Sequence, residues 1–265
     1  MTQLKINFKL QKPDKIAPFG EKPDCSLHWF GLTDGLLWIN AGEQTIYEYT
    51  KEAQDYFGTD IRYNDYQLSR FLEDFFDTFR YINESIPLEF YNGIEEFSTK
   101  TMRWKESHFN DDDDIFDRFY DEKYIPLTEW YHERSFDSGH LTGGPYIGCF
   151  RHNEKIKIVW ESDYRLESGN SIWTSPKGVF ELYYDDFLLS VSEFLDCFFA
   201  AMDEQVKQAV AKDWGEITID KSRLVAEHKE RKQNFYLQLS YLNQNSANNT
   251  DWKKIISIFN EFFPR

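Results

Sequence analysis

Hydrophobic and polar residues alternate along several short segments of the chain, which is the pattern of half-buried β-strands. In the N-terminal part the strand-like segments are residues 4–10, 27–33, 36–40 and 45–49, of which the first and the last show this alternation. Asp34-Gly35 lies between the second and the third, and this dipeptide favours the tight turn of a hairpin. We therefore predict a three-stranded meander over residues 27–49. Farther along, we predict hairpins from residues 146–151 with 155–160 and from residues 171–174 with 179–183.

Other segments place hydrophobic residues three and four positions apart, as one buried helix face requires. The clearest is residues 66–82, whose apolar stripe is Phe71, Leu72, Phe75, Phe76, Phe79 and Ile82. Further helices are predicted over residues 94–104, 186–212, 222–242 and 252–263, with a short strand at Ile217 and Ile219. Residues 111–114 are four consecutive aspartates, and like charges at this density predict a solvated loop or helix start.

The order of these elements occurs twice. LHWFGLTDGLLWIN is followed by YNDYQLSRFLEDFFDTF, and YIGCFRHNEKIKIVW is followed by YYDDFLLSVSEFLDCFF. Each half therefore combines antiparallel strands with a helix, which predicts an α+β fold rather than a parallel doubly wound sheet. We expect one domain over residues 1–265, with related halves at about 1–105 and 124–212 packed together. Residues 213–265 are expected to add C-terminal helices.

Composition favours a folded, acidic protein. Of the 265 residues, 41% are hydrophobic and 18% are aromatic, enough to build a substantial core. The formal net charge is −16, which repels phosphate backbones and anionic membranes and so argues against both as partners. The same charge favours a basic protein partner, although a general benefit to solubility is the alternative explanation.

Targeting signals are not evident. The N-terminus lacks the apolar stretch of a signal peptide, and we find no run of about 18 uncharged apolar residues. Cys25, Cys149 and Cys197 are too widely spaced for a disulfide framework or a zinc motif. We therefore expect a soluble, cytoplasmic protein.

Catalytic and cofactor motifs are likewise not evident. The histidines form no H-x-x-x-H pair, and no phosphate-binding glycine loop or nucleophile elbow occurs. The aspartates at 111–114 lack the spacing and the glycine of a calcium loop. Cys149 lies within a predicted strand and is interpreted as a small core residue. We predict no metal and no cofactor.

Several segments together carry a family resemblance: LHWFGLTDGLLWINAG, YNDYQLSRFLEDFFDTF, DSGHLTGGPYIGCFRHNEKIKIVW, SIWTSPKGVFELYYDDFLLSVSEFLDCFFAAM and ITIDKSRLVAEHKER. The chain resembles an uncharacterised bacterial family of unknown function. The most specific matches are Trp29 to Trp38 with Thr33-Asp34-Gly35, Trp173 with Gly178, and Glu227-His228 with Arg231. The resemblance implies no activity. By analogy, such proteins are similar in size and composition to immunity proteins of bacterial toxin systems.

The first functional hypothesis is therefore a non-enzymatic binding protein. An acidic, aromatic protein suits the basic cleft of a toxin that acts on nucleic acids or nucleotides, which it would block by occlusion. The predicted contact residues are Asp111, Asp112, Asp113, Asp114, Phe116 and Phe119.

Two alternatives remain open. One is a hydrolase-like enzyme built from Trp130, His132, Arg134, Asp137 and Arg151, since WYHERSFD gathers several reactive residue types. In that segment, a structural pairing of Arg134 with Asp137 is the simpler interpretation. The other is a module that assembles with itself through an exposed apolar patch, and the oligomeric state stays undetermined.

Overall fold

The computed structural model describes residues 3–20, 25–138, 140–141, 143–215, 217, 219–243 and 250–262. Its strands are β1 Leu4–Leu10, β2 Asp34–Ala41, β3 Gln44–Ile46, β4 Asn64–Gln67, β5 Ser135–Phe136, β6 Tyr146–His152, β7 Lys155–Glu161 and β8 Lys177–Tyr183. Its α-helices are α1 Trp29–Leu32, α2 Lys51–Phe57, α3 Leu68–Asp77, α4 Phe79–Ile82, α5 Leu88–Ser107, α6 Asp113–Phe119, α7 Ile125–His132, α8 Tyr184–Ala211, α9 Lys221–Leu242 and α10 Trp252–Phe262. Helices and antiparallel sheets together confirm the α+β prediction, including the C-terminal helices.

The first sheet is organised around β2. Residues 35–41 of β2 pair antiparallel with β1, while β3 and β4 pair with opposite ends of the other edge of β2. The predicted strand at residues 27–33 is wrong, because Trp29 and Leu32 are buried at helical spacing and form α1. Asp34-Gly35 accordingly begins β2 instead of forming a hairpin turn.

The second sheet has the strand order β5-β6-β7-β8 within the described residues. The hairpin of β6 and β7 is confirmed, and its turn residue Asn153 adopts a left-handed φ of 53°. The second predicted hairpin is wrong, because β8 pairs with β7 rather than with residues 171–174. Trp173 in that segment instead forms a β-bridge to Tyr49 of the first half.

Most of the predicted helices are confirmed, with shifted ends. The 66–82 helix begins at Leu68 and is divided at Thr78, whose hydroxyl donates to the Phe75 carbonyl at 2.6 Å. Helix α5 begins earlier than predicted and includes Gly93. Ile217 and Ile219 lie outside any strand, which corrects the short strand predicted there. Residue 263 and most of the Asn-rich stretch, residues 244–249, lie outside the described residues.

The central strands of the second sheet, β6 and β7, are buried on both faces, whereas β8 exposes one face. Ile147, Cys149 and Ile158 face a hydrophobic cluster that also contains the first sheet, α3 and α8. Phe150 and Val159 face a second cluster formed with α5, α7 and α10. Cys149 is the small core residue expected, and burial raises the pKa of its thiol to about 12. The first cluster therefore joins residues of both halves.

Across the described ranges, no helix combines the length and the apolar character that crossing a bilayer demands.

Candidate functional site

The four aspartates span the entry to α6: Asp111 lies in the preceding bend, Asp112 is the N-cap, and Asp113 and Asp114 begin the helix. The Asp112 carboxylate accepts the Asp114 backbone N–H at 3.1 Å and so caps the helix. All four side chains are exposed. Their charges lie near the positive end of the helix dipole, where carboxylates are stabilised.

Apolar side chains border these carboxylates. Phe116 is half-buried, whereas Phe109 and Ile115 are 73% and 57% exposed. Phe119 instead points inward and stacks on His108, with ring centroids 3.9 Å apart. At 7% exposure Phe119 belongs to the interior of the free protein, which corrects its place among the predicted contact residues. We call the surface of Phe109, Asp111–Asp114, Ile115 and Phe116 the α6 surface.

Sequence reasoning overlooked Phe109 and Ile115. Phe109 lies outside any helix, and Ile115 lies on the exposed side of α6. The three-residue spacing of Phe116 and Phe119 was the signal that could have identified Ile115. That spacing places the two rings on one helix face, which turns inward, and leaves Ile115 on another face.

The residues of the enzyme alternative do not share one site. Trp130 and Arg134 are buried, and Arg134 forms an ion pair with Glu84 rather than with the exposed Asp137. This corrects the predicted pairing, because the guanidinium points towards α7 and α10 while Asp137 remains at the surface. Burial lowers the pKa of Arg134, and the charge of Glu84 opposes that shift.

Arg151 and His132 lie in two further environments. The Arg151 guanidinium is 3.9 Å from the Tyr184 ring centroid and donates to the Asn83 carbonyl at 2.8 Å. His132 is exposed at the end of α7, where its Nδ1 lies 2.9 Å from the Tyr146 hydroxyl. The five residues therefore assemble no common catalytic centre.

A polar network that the sequence did not reveal joins two of the resemblance motifs. The Trp29 indole N–H donates to His228 Nδ1 at 3.0 Å, and His228 Nε2 donates to Asp203 at 2.7 Å. Since indole nitrogen is only a donor, Nδ1 must be the acceptor and Nε2 must carry the hydrogen. Arg231 stacks over the Trp29 ring at 4.8 Å. The network fastens α9 to α1 and α8.

A family model described as "Family of unknown function (DUF5984)" matches residues 5–258. The chain belongs to DUF5984. This confirms the resemblance to a family of unknown function. No curated protein and no solved structure matches the chain significantly.

The DUF5984 match includes both the α6 surface and the Trp29–His228–Asp203 network. Chemically the two differ. In the network, each of the described polar groups already has a partner inside the fold, so it serves to position helices. On the α6 surface, carboxylates and apolar groups face solvent together, and this combination suits contact with another protein.

Proposed function

We propose that this DUF5984 protein is a non-enzymatic acidic binding protein, and specifically a bacterial immunity protein that neutralises a cognate toxin by covering a basic site. The observation that supports the proposal is the α6 surface, where four exposed aspartates adjoin the exposed Phe109 and Ile115. The site of action we propose is the bacterial cytoplasm.

The physical basis is complementarity of charge and apolar area. With a net charge of −16, the protein attracts a cationic partner over long range and accelerates encounter. At contact, Asp111–Asp114 would pair with lysine or arginine side chains, while Phe109 and Ile115 would supply buried apolar contacts. Blocking the toxin requires only that the covered site be closed to substrate, so no bond is made or broken.

A binding experiment tests the α6 surface directly. The protein is used to capture partners from its native host, and the product of the adjacent gene is assayed for toxicity with and without it. In the test variant Asp111–Asp114 are all changed to Asn. We expect its association rate constant for the captured partner to fall about tenfold or more, with a weaker dependence on salt.

A control variant removes the same number of charges elsewhere: Glu43→Gln, Asp55→Asn, Asp60→Asn and Glu167→Gln, all at exposed positions. We expect it to bind almost as the unmodified protein does. Capture of no basic protein, a harmless adjacent gene product, or equal losses in the two variants would each count against the proposal.

A further inference from the structure

A cleft of about 310 Å³ lies between α5 and the second sheet, away from the α6 surface. Helix α5 contributes Glu95, Ser98, Thr99 and Met102, whose three-four spacing places them on one helix face. Opposite them lie residues of α7, β6 and β7. This mainly polar flank of α5 borders the cleft, beside the apolar face of α5 that packs on Phe150 and Val159. We call this space the α5 cleft.

Aromatic rings form one wall of the α5 cleft. Tyr131 and Tyr146 are nearly parallel, with an interplanar angle of 5° and ring centroids 5.9 Å apart. His132 stands almost perpendicular to Tyr146, at 84°. Tyr131 is buried against Phe150, whereas Tyr146 is half-buried, and both rings line the cleft. A planar cation could therefore stack on Tyr146.

Negative charge lines the rest of the cleft. Glu95, Glu161 and Asp163 are lining residues, and among the described lining residues none is lysine or arginine. Lys157 and Lys177 approach from outside and partly balance Glu95 and Glu161, at 3.3 and 3.0 Å. Desolvation lowers the pKa of His132, which favours its uncharged form.

We propose that the α5 cleft binds a guanidinium group, carried either by a free small molecule or by an arginine side chain. A guanidinium is planar and weakly hydrated, and it stacks on aromatic rings while its N–H groups donate to carboxylates. The cleft offers both features, with Tyr146 as the stacking surface and Asp163 and Glu161 as acceptors. This site is independent of the α6 surface and of its partner.

Calorimetric titration of the full chain with three probes tests the assignment. Free L-arginine represents a small molecule, N-acetyl-L-arginine amide represents a side chain in a protein, and N-acetyl-L-glutamine amide is the uncharged control. We expect saturable binding of at least one guanidinium probe and none of the glutamine probe. A preference for free arginine identifies a small-molecule site, and a preference for the blocked form identifies a side-chain site.

Variants then locate the binding. Tyr146→Leu removes the stacking ring and Asp163→Asn removes a carboxylate, and each should weaken binding about tenfold. Tyr146→Phe keeps the ring but loses the hydroxyl contact to His132, so it should bind nearly normally. Asp60→Asn is the exposed control, and the α6 variant with four Asn should retain full affinity for the probe.

The proposal is overturned if folded protein, verified by circular dichroism, binds neither guanidinium probe. It is also overturned if Tyr146→Leu binds as well as the unmodified chain, or if the glutamine probe binds equally. Because the probes are small molecules, these results do not depend on whether a toxin partner exists.

Discussion

At the residue scale, the most constrained charges are those of Arg134 and Glu84. The side chain of Arg134 has no exposed area, and that of Glu84 is 5% exposed. Glu84 also accepts from the Thr250 hydroxyl at 2.6 Å and the Trp252 indole at 2.9 Å. Such a pair stabilises the fold only while each charge keeps its partner, because an unpaired buried charge is costly.

We predict that Glu84→Ala lowers the free energy of unfolding by about 3–5 kcal/mol, since it leaves the Arg134 charge buried and unpaired. Urea unfolding followed by circular dichroism measures the change. Asp55→Ala breaks the exposed Lys51–Asp55 pair and serves as the control, with an expected loss within about 1 kcal/mol. Similar losses in the two variants would contradict the prediction.

At the scale of elements, α9 is held against its neighbours by side chains of opposite charge. Asp203 of α8 accepts from His228 and, at 2.8 Å, from Lys232 of α9. Arg231 links the same helix to Glu73 of α3 at 2.6 Å. Helix α9 buries only Leu224, His228, Phe235 and Leu242, and these polar contacts supplement that small buried set.

This attachment should weaken in acid. Burial alone would raise the pKa of Asp203, but hydrogen bonds from Lys232 and His228 outweigh it and lower that pKa below its usual 3.8. The stability that the carboxylate contributes is therefore present above the unfolded-state pKa of about 3.9 and is lost as the pH falls through the folded-state pKa. We expect Asp203→Asn to be destabilising at pH 7 and progressively less so below about pH 4.

Urea unfolding between pH 2.5 and pH 7 measures this dependence. Glu193→Gln, at an exposed position of the same helix, is the control and should show no such convergence. A constant difference in unfolding free energy between Asp203→Asn and the unmodified protein across this range would refute the prediction.

Pairing of β7 with β8 depends on a glycine. Gly178 lies opposite Trp160, and a Cβ added there would overlap the indole ring. Trp160 has no exposed area and so has no room to move. We predict that Gly178→Ala lowers the free energy of unfolding by about 1–3 kcal/mol, the cost of overpacking.

Thermal and urea unfolding of Gly178→Ala measure the loss. Gly31→Ala is the matched control, because a Cβ at Gly31 meets nothing within 4 Å and that residue lies in α1. We expect the control to be neutral or stabilising by up to about 1 kcal/mol. If both substitutions were equally tolerated, contact with Trp160 would not restrict the size of the side chain at position 178.

At the scale of the whole molecule, Trp173 connects the two halves. Its ring stacks on Tyr49 with centroids 4.6 Å apart and meets Tyr47 edge-on at 5.9 Å. Tyr47 has a left-handed φ of 67°, uncommon for a residue with a side chain, and its hydroxyl lies 2.5 Å from that of Ser138. Trp173 therefore contributes ring contacts between the two halves in addition to those of the first cluster.

We predict that Trp173→Ala lowers the free energy of unfolding by about 3–5 kcal/mol, because it leaves a cavity between the halves. Trp173→Phe should lose less, about 1–3 kcal/mol, since it retains a ring but leaves a smaller cavity and forfeits the 2.7 Å bond from Nε1 to the Gly143 carbonyl. Denaturation followed by fluorescence and by circular dichroism measures both. A loss below about 1 kcal/mol for Trp173→Ala would show that these ring contacts contribute little.

Sequence patterns succeeded where one helix or strand buries a regular face. The long stripe from Phe187 to Val206 became α8, and the alternation in residues 4–10 became β1. They failed where a short segment has more than one compatible pattern. Residues 27–33 are compatible with a strand, yet Trp29 and Leu32 also fit one helical turn, and packing selected the turn.

The candidate sites also differed in how far a local sequence pattern could predict them. The exposure of Asp111–Asp114 followed from their charge density alone. The partner of Arg134 could not be predicted, because Glu84 is 50 positions away and many carboxylates compete in so acidic a chain. The α5 cleft could not be predicted from the sequence either. Its lining residues come from α5, α7 and two strands, and no local pattern indicates that these elements lie together.

The sequence by itself determined the α+β class, the family, most of the helices and the acidic character, because periodicity and charge are local properties. Only the tertiary structure decided that β3 and β4 share one edge of β2, that Trp173 joins the halves, and that Phe119 lies inside while Phe109 lies outside. The physical reason is that periodicity records which face of an element is buried, whereas the neighbour that covers this face is selected by packing among distant segments.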